Sequence, residues 1–186
     1  PLGDVAQDLL SAEGRYYISL NGSGTVRVVD SLTWQGVAEI PVNGTPTYLA
    51  VADGKLWVSD LFKKKIWQIN LNALSVSGAI ATPGPASDLI HWQNKIVAVA
   101  GKTLLVINPV ADSVEYRKSL PGTGGRMVVD AQNQLWLLTS GNAPERSLCK
   151  LDAPDDAIIS YALGAAFPNT SPKFLSIDGS GKKLFM

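Results

Sequence analysis

Chemistry most often recruits histidine, cysteine and clustered carboxylates, and the chain has one histidine and one cysteine. His91 stands beside Trp92, with no second imidazole to complete a metal site and no partner spacing for a His–carboxylate–Ser relay. It reads as a packed or surface residue. Cys149, between Leu148 and Lys150, leaves no internal disulfide or cysteine-based metal site and reads as strand packing. Asp152, Asp155 and Asp156 gather in a short polar stretch, the signature of a solvated turn, with calcium the lesser alternative. The "GTGG" run at 122–125 leads into an apolar stretch, whereas a phosphate-cradling loop should open a helix. These residues predict no catalytic group, no metal and no cofactor.

The bulk numbers exclude further classes. The chain has 186 residues, 46% hydrophobic and 17% charged, which suits a globular core and not a disordered tail. Sixteen basic residues balance sixteen acidic ones, so no global field favours nucleic acid or an anionic membrane. The one basic run, Lys63–Lys65, reads as a solvated loop. No apolar stretch reaches the ~18 residues of a membrane span.

The elements that position these residues repeat. Tyr17, Trp57, Val97 and Trp136 recur at steps of 40, 40 and 39 residues, and Phe185 follows 49 residues on. Each sits in an alternating apolar strand. A second strand follows and ends on Asp30, Asn70, Asn108 or Asp152, which fit an Asx-type turn into a third. Gly or Pro closes each unit before the next apolar strand. Four short strands, A to D, per unit of about 40 residues predict an all-β fold, a β-propeller of four-stranded antiparallel blades. The blades fall at 1–42, 43–83, 84–122 and 123–164, with part of a fifth at 165–186. Since a propeller closes into a ring, about four and a half blades predict a segment of a larger ring of seven, or one completed by another chain. Trp57 and Trp67 are expected between neighbouring blades.

The binding surface of such a ring is the face where the D-to-A and B-to-C loops converge. By repeat position it should carry Asp4, Gln7, Tyr48, Asp60, Phe62, Asp88, Arg126, Asn142, Asn169 and Lys173. That mixture suits a polar, neutral ligand better than a polyanion. The longest irregular loops, 140–147 and 164–172, break the period and mark the same face.

The repeat resembles the YncE-like, YVTN-type propellers along the whole chain, and more narrowly a surface-lipoprotein branch found in Bacteroidetes. The stretches that carry it are "LGDVAQDL" at 2–9, "NGSGTVRVVDSLTW" at 21–34, "KLWVSDLFKKKIWQINL" at 55–71 and "MVVDAQNQLWLLTSGN" at 127–142. The resemblance implies a non-enzymatic protein, lipid-anchored at the outer membrane surface or periplasmic. It would capture a small nutrient, with cobalamin the leading candidate, for a TonB-dependent transporter. Two other classes stay open: an interaction scaffold in an outer-membrane complex, and a lactonase- or quinoprotein-type enzyme. The enzyme ranks last, because few channel-facing carboxylate, amide or imidazole ligands are in sight.

Overall fold

The computed structural model describes residues 4–141, 146–163, 175–178 and 184–185. It is all-β. The first four strands, β1 (Ala6–Ala12), β2 (Arg15–Leu20), β3 (Thr25–Asp30) and β4 (Gly36–Pro41), form one antiparallel sheet in chain order. The second sheet holds β5 (Pro46–Ala52), β6 (Lys55–Asp60), β7 (Lys65–Asn70) and β8 (Ser75–Ala81). The third holds β9 (Ala86–Trp92), β10 (Lys95–Ala100), β11 (Thr103–Asn108) and β12 (Ser113–Ser119). The fourth holds β13 (Thr123–Val129), β14 (Leu135–Ser140), β15 (Ser147–Leu151) and β16 (Ile159–Ala162). A last pair, β17 (Ser176–Ile177) and β18 (Leu184–Phe185), follows. These sheets are propeller blades. No helix among the described residues is long and apolar enough to cross a membrane.

Turn chemistry sets the strand ends. The side-chain oxygens of Asp30, Asn70 and Asn108 each accept the N–H groups two and three residues on, 2.7–3.1 Å away. The residue four places on, Trp34, Leu74 or Asp112, then takes a positive φ of 59°, 49° or 52°. Asp152 departs from this pattern. It lies one residue beyond β15 and pairs with Lys150 at 2.9 Å.

The core lies between blades, because each sheet is apolar on both faces and buries them against its neighbours. Tyr17 faces the second blade, in a cluster with Val26, Val28, Leu49 and Leu56. Trp57 faces the third blade with Ala50, Leu89 and Ile96, and Val97 faces the fourth with Met127 and Leu137. Trp136 packs on the cluster of Leu138, Leu163 and Leu175. Trp67 packs on the other side of its blade, against the first cluster. The inner strands β1, β5, β9 and β13 lie side by side and form the wall of the central channel.

Candidate functional site

Every inner strand slips register near its start, at a step between Ala6 and Asp8, Pro46 and Leu49, Ala86 and Asp88, and Gly124 and Met127. A bulge of this kind frees backbone N–H groups and re-aims a side chain. Within β1 and β5 the freed groups find serines on the adjacent strand: Asp8 N donates to Ser19 Oγ at 3.0 Å, and Tyr48 N to Ser59 Oγ at 2.8 Å. Between blades the bulge is bridged by carboxylates. Leu49 N donates to Asp8 Oδ2 at 2.9 Å, and Met127 N to Asp88 Oδ2 at 2.6 Å.

The side chains at this level are Asp8, Tyr48, Asp88 and Arg126, which immediately precede Leu9, Leu49, Leu89 and Met127, the last three facing the preceding blade. The four polar side chains converge on one hollow of about 480 Å³. The Arg126 guanidinium lies 4.7 Å from the centroid of the Tyr48 ring, and its Nη1 is 3.5 Å from Asp88 Oδ1. Leu10, Leu49, Leu89, Ile90 and Val128 form the apolar part of the wall. A second hollow of about 380 Å³ shares Leu10, Leu49, Leu89, Ile90 and His91 with the first and reaches Ala12, so the largely apolar lining continues along the channel.

The Asp88 side chain is only 4% exposed, and burial pushes its pKa up to about 6, against the opposing pull of the Met127 N–H and Arg126. Arg126, with 48% of its side chain exposed, ends above its ordinary value: burial opposes its charge, but Asp88 and Tyr48 outweigh that. The Asp8 charge acts on both Asp88 and Arg126.

Of the residues the sequence proposed, Tyr48, Asp88 and Arg126 meet here. Asp8 completes the set and was missed. Aligning the blades on Leu9, Leu49, Leu89 and Met127 places Asp8 in the same column as the other three, and that was the available signal. Asp4, Gln7, Asp60 and Phe62 do not line the hollow. Asp4 accepts from Ser23 N at 3.0 Å and Val5 N at 2.8 Å, tying the chain to the first B-to-C turn, and its hydrogen bonds to Ser23 help hold its pKa low. Gln7 is exposed at the bulge itself.

Asp60 is buried and fully engaged. Its Oδ1 accepts from Phe62 N and Lys63 N, and its Oδ2 from Thr45 N and Trp67 Nε1 at 3.0 Å. A Cβ at Gly44 would collide with that carboxylate, so the glycine is what lets the D-to-A loop close over it. Phe62 is exposed in the turn that Asp60 organises. Lys63 and Lys64 share this exposed turn, and Lys65 stacks 5.0 Å from the Trp67 ring. Asn142, Asn169 and Lys173 lie outside the described residues.

His91 is exposed on β9. Cys149 is buried, and burial pushes its thiol up, away from the reactive thiolate form. No group of three or more His, Cys, Asp or Glu residues that could hold a metal occurs among the described residues.

No protein-family model matches the chain, and no curated protein matches it in sequence. Solved β-propellers match it in structure. Hydrazine synthase from Kuenenia stuttgartiensis aligns with a TM-score of 0.78 at 12% identity, over 92% of this chain and 51% of its own. The WD40 repeats of RRP9 align with a TM-score of 0.73 at 9% identity, over 86% and 51%. The β-propeller domain of Cps50 (Swd1) from Myceliophteria thermophila aligns with a TM-score of 0.71 at 15% identity, over 98% and 62%. The chain thus spans about half the length of the first two. At these identities the likeness shows the fold alone.

Proposed function

We propose that the chain belongs to a non-enzymatic binding propeller of the bacterial envelope, which captures a small nutrient at the channel mouth for a TonB-dependent transporter. One observation carries the binding reading: four successive blades deliver polar side chains of three kinds, Asp8 and Asp88, Tyr48 and Arg126, to one hollow. A purely structural repeat would be served by the same residue each time. The buried, raised thiol of Cys149 and the lack of a second imidazole to partner His91 support a role without covalent chemistry. The envelope location, the transporter and the corrinoid ligand rest on the sequence resemblance.

Calorimetric titration of cyanocobalamin into the intact protein tests the corrinoid. Saturable heat that falls on Tyr48→Ala or Arg126→Ala supports it, with a buried polar contact worth roughly 1–3 kcal/mol. No heat from a folded protein removes cobalamin as the ligand. The scaffold reading has its own observation, the exposed apolar residues Leu32 and Val110 in the C-to-D turns of the first and third blades. Pull-down of a defined envelope partner, lost on Leu32→Asp or Val110→Asp, would favour it.

A further inference from the structure

We propose that the hollow takes a small zwitterion with an apolar body, an α-amino acid being the simplest, whose carboxylate meets Arg126 and whose ammonium meets Asp8. The proposal rests on the reading that this hollow is the ligand site, and it names the ligand class. Three features of the wall argue for it.

The first is which charges a ligand can reach. Asp88 is nearly sealed, with one oxygen on Met127 N and the other toward Arg126, so it serves the wall. That leaves Arg126, about half exposed, and Asp8, partly buried and lining the same hollow. Among the described residues the accessible groups are therefore one cation, one anion and, farther along β9, the imidazole of His91, which lines the same hollow. A ligand carrying only negative charge would satisfy Arg126 and face Asp8. One carrying only positive charge would do the reverse. Either leaves a like-charge contact in a partly desolvated site, which is a strong basis for rejection.

The second is preorganisation. Arg126 is held on one side by the Tyr48 ring and on another by Asp88, so its planar fork is fixed before a ligand arrives. Asp8 is fixed by Leu49 N and by Leu9 N, both at 2.9 Å. Fixed groups of opposite sign recognise separated charges with little ordering cost.

The third is what lies beyond the charges. Leu10, Leu49, Leu89, Ile90 and Val128 line the rest of the hollow, which continues into the neighbouring apolar one. A volume of about 480 Å³ accommodates an amino-acid-sized body.

The test is a calorimetric series on the intact protein with L-phenylalanine, 3-phenylpropionate, 2-phenylethylamine and cyanocobalamin as probes. The first three share a body and differ in which charges they carry. The expected result is saturable binding of phenylalanine, with both single-charge probes at least about tenfold weaker. Arg126→Gln and Asp8→Asn should each weaken phenylalanine at least about tenfold. Asn keeps a carbonyl oxygen for Leu49 N, and circular dichroism confirms that each variant is folded. Arg126→Lys should retain more affinity than Arg126→Gln. Equal binding of either single-charge probe overturns the zwitterion and leaves the hollow as the site. Corrinoid binding without phenylalanine binding overturns it too. Silence from all four probes overturns both this inference and the binding reading it rests on.

Discussion

The two faces of the first blade carry the same kind of side chain and meet different fates. On the face toward the second blade, Tyr17, Val26 and Val28 are fully buried. On the other face Leu9 is 58% exposed, although its equivalents Leu49, Leu89 and Met127 are 4%, 4% and 6% exposed. Trp34, in the C-to-D turn, is exposed and stacks on Tyr16 at 5.1 Å. Its equivalents reach back one blade: Leu74 packs on the cluster shared with the first blade, and Asp112 Oδ1 accepts from Lys55 Nζ at 2.6 Å and Gln68 Nε2 at 3.1 Å. The apolar pattern thus belongs to the repeat, whereas its burial belongs to the neighbour. Stability in such a stack resides in the interfaces between units.

The largest expected effect tests that division directly. Trp57 is fully buried between the second and third blades, so Trp57→Ala should destabilise by about 3–5 kcal/mol. Val110→Ala, exposed in the C-to-D turn of the third blade, should stay within about 0.5 kcal/mol. Urea unfolding of both variants measures the gap. Similar midpoints would mean that the inter-blade clusters do not hold the fold.

A second effect of nearly that size depends on pH. Asp88 sits at the junction of the third and fourth blades, with its pKa raised to about 6. In the unfolded chain it should titrate near the ordinary value of about 3.9. Between those values the folded protein holds a proton that the unfolded chain has released, so stability falls as pH rises through the window and levels off above it. Two pKa units correspond to about 3 kcal/mol. Asp30, held low chiefly by the Thr33 N–H, and Glu115, held low chiefly by Lys95, act in the opposite direction at lower pH. The informative measurement is therefore the difference between the native protein and Asp88→Asn, by urea midpoints at pH 4, 5 and 7. Asn should remove the decline. An identical profile in both proteins would show that Asp88 does not carry it.

The same contrast explains what could be read from the amino acids alone. The blades were legible because their signals are local and repeated: alternation in each strand, Asp30, Asn70 and Asn108 after the third, Gly or Pro at each close. Trp57 and Trp67 could be placed between blades because a large ring in a repeated strand has nowhere else to pack. The site was legible in part. Tyr48, Asp88 and Arg126 were found by column position, but the bulge that re-aims them leaves no mark in composition. Gln7 and Ser87 look like ordinary strand residues. Asp8 shares the alternation of Leu10 and the column of Tyr48, Asp88 and Arg126, but Asp4 and Gln7 were chosen in its place by their nearness to the D-to-A loop. Asp60 was chosen for its loop, yet its carboxylate serves Thr45, Phe62, Lys63 and Trp67, and the fit against Gly44 exists only once the blade has folded.

The smallest expected effect is the sharpest probe of the comparison, because it holds local conformation constant. Trp34 and Leu74 occupy the same place in the same turn, four residues after Asp30 and Asn70, and both take a positive φ. That conformation costs a non-glycine residue roughly 1–2 kcal/mol, and asparagine bears it better than tryptophan or leucine. Replacing either by Asn should therefore recover a similar amount of strain. What is lost differs. Trp34→Asn gives up an exposed stack on Tyr16, worth about 0.5–1.5 kcal/mol, so loss and relief should nearly cancel. Leu74→Asn gives up partly buried contact with the first inter-blade cluster and leaves a polar amide there, so it should cost about 1 kcal/mol more than its counterpart. Urea midpoints of the two variants, measured side by side, give that difference with the shared strain removed. Equal costs would mean that Leu74 gains nothing from the blade before it, and the clasp between C-to-D turn and preceding blade would be a matter of position without energy.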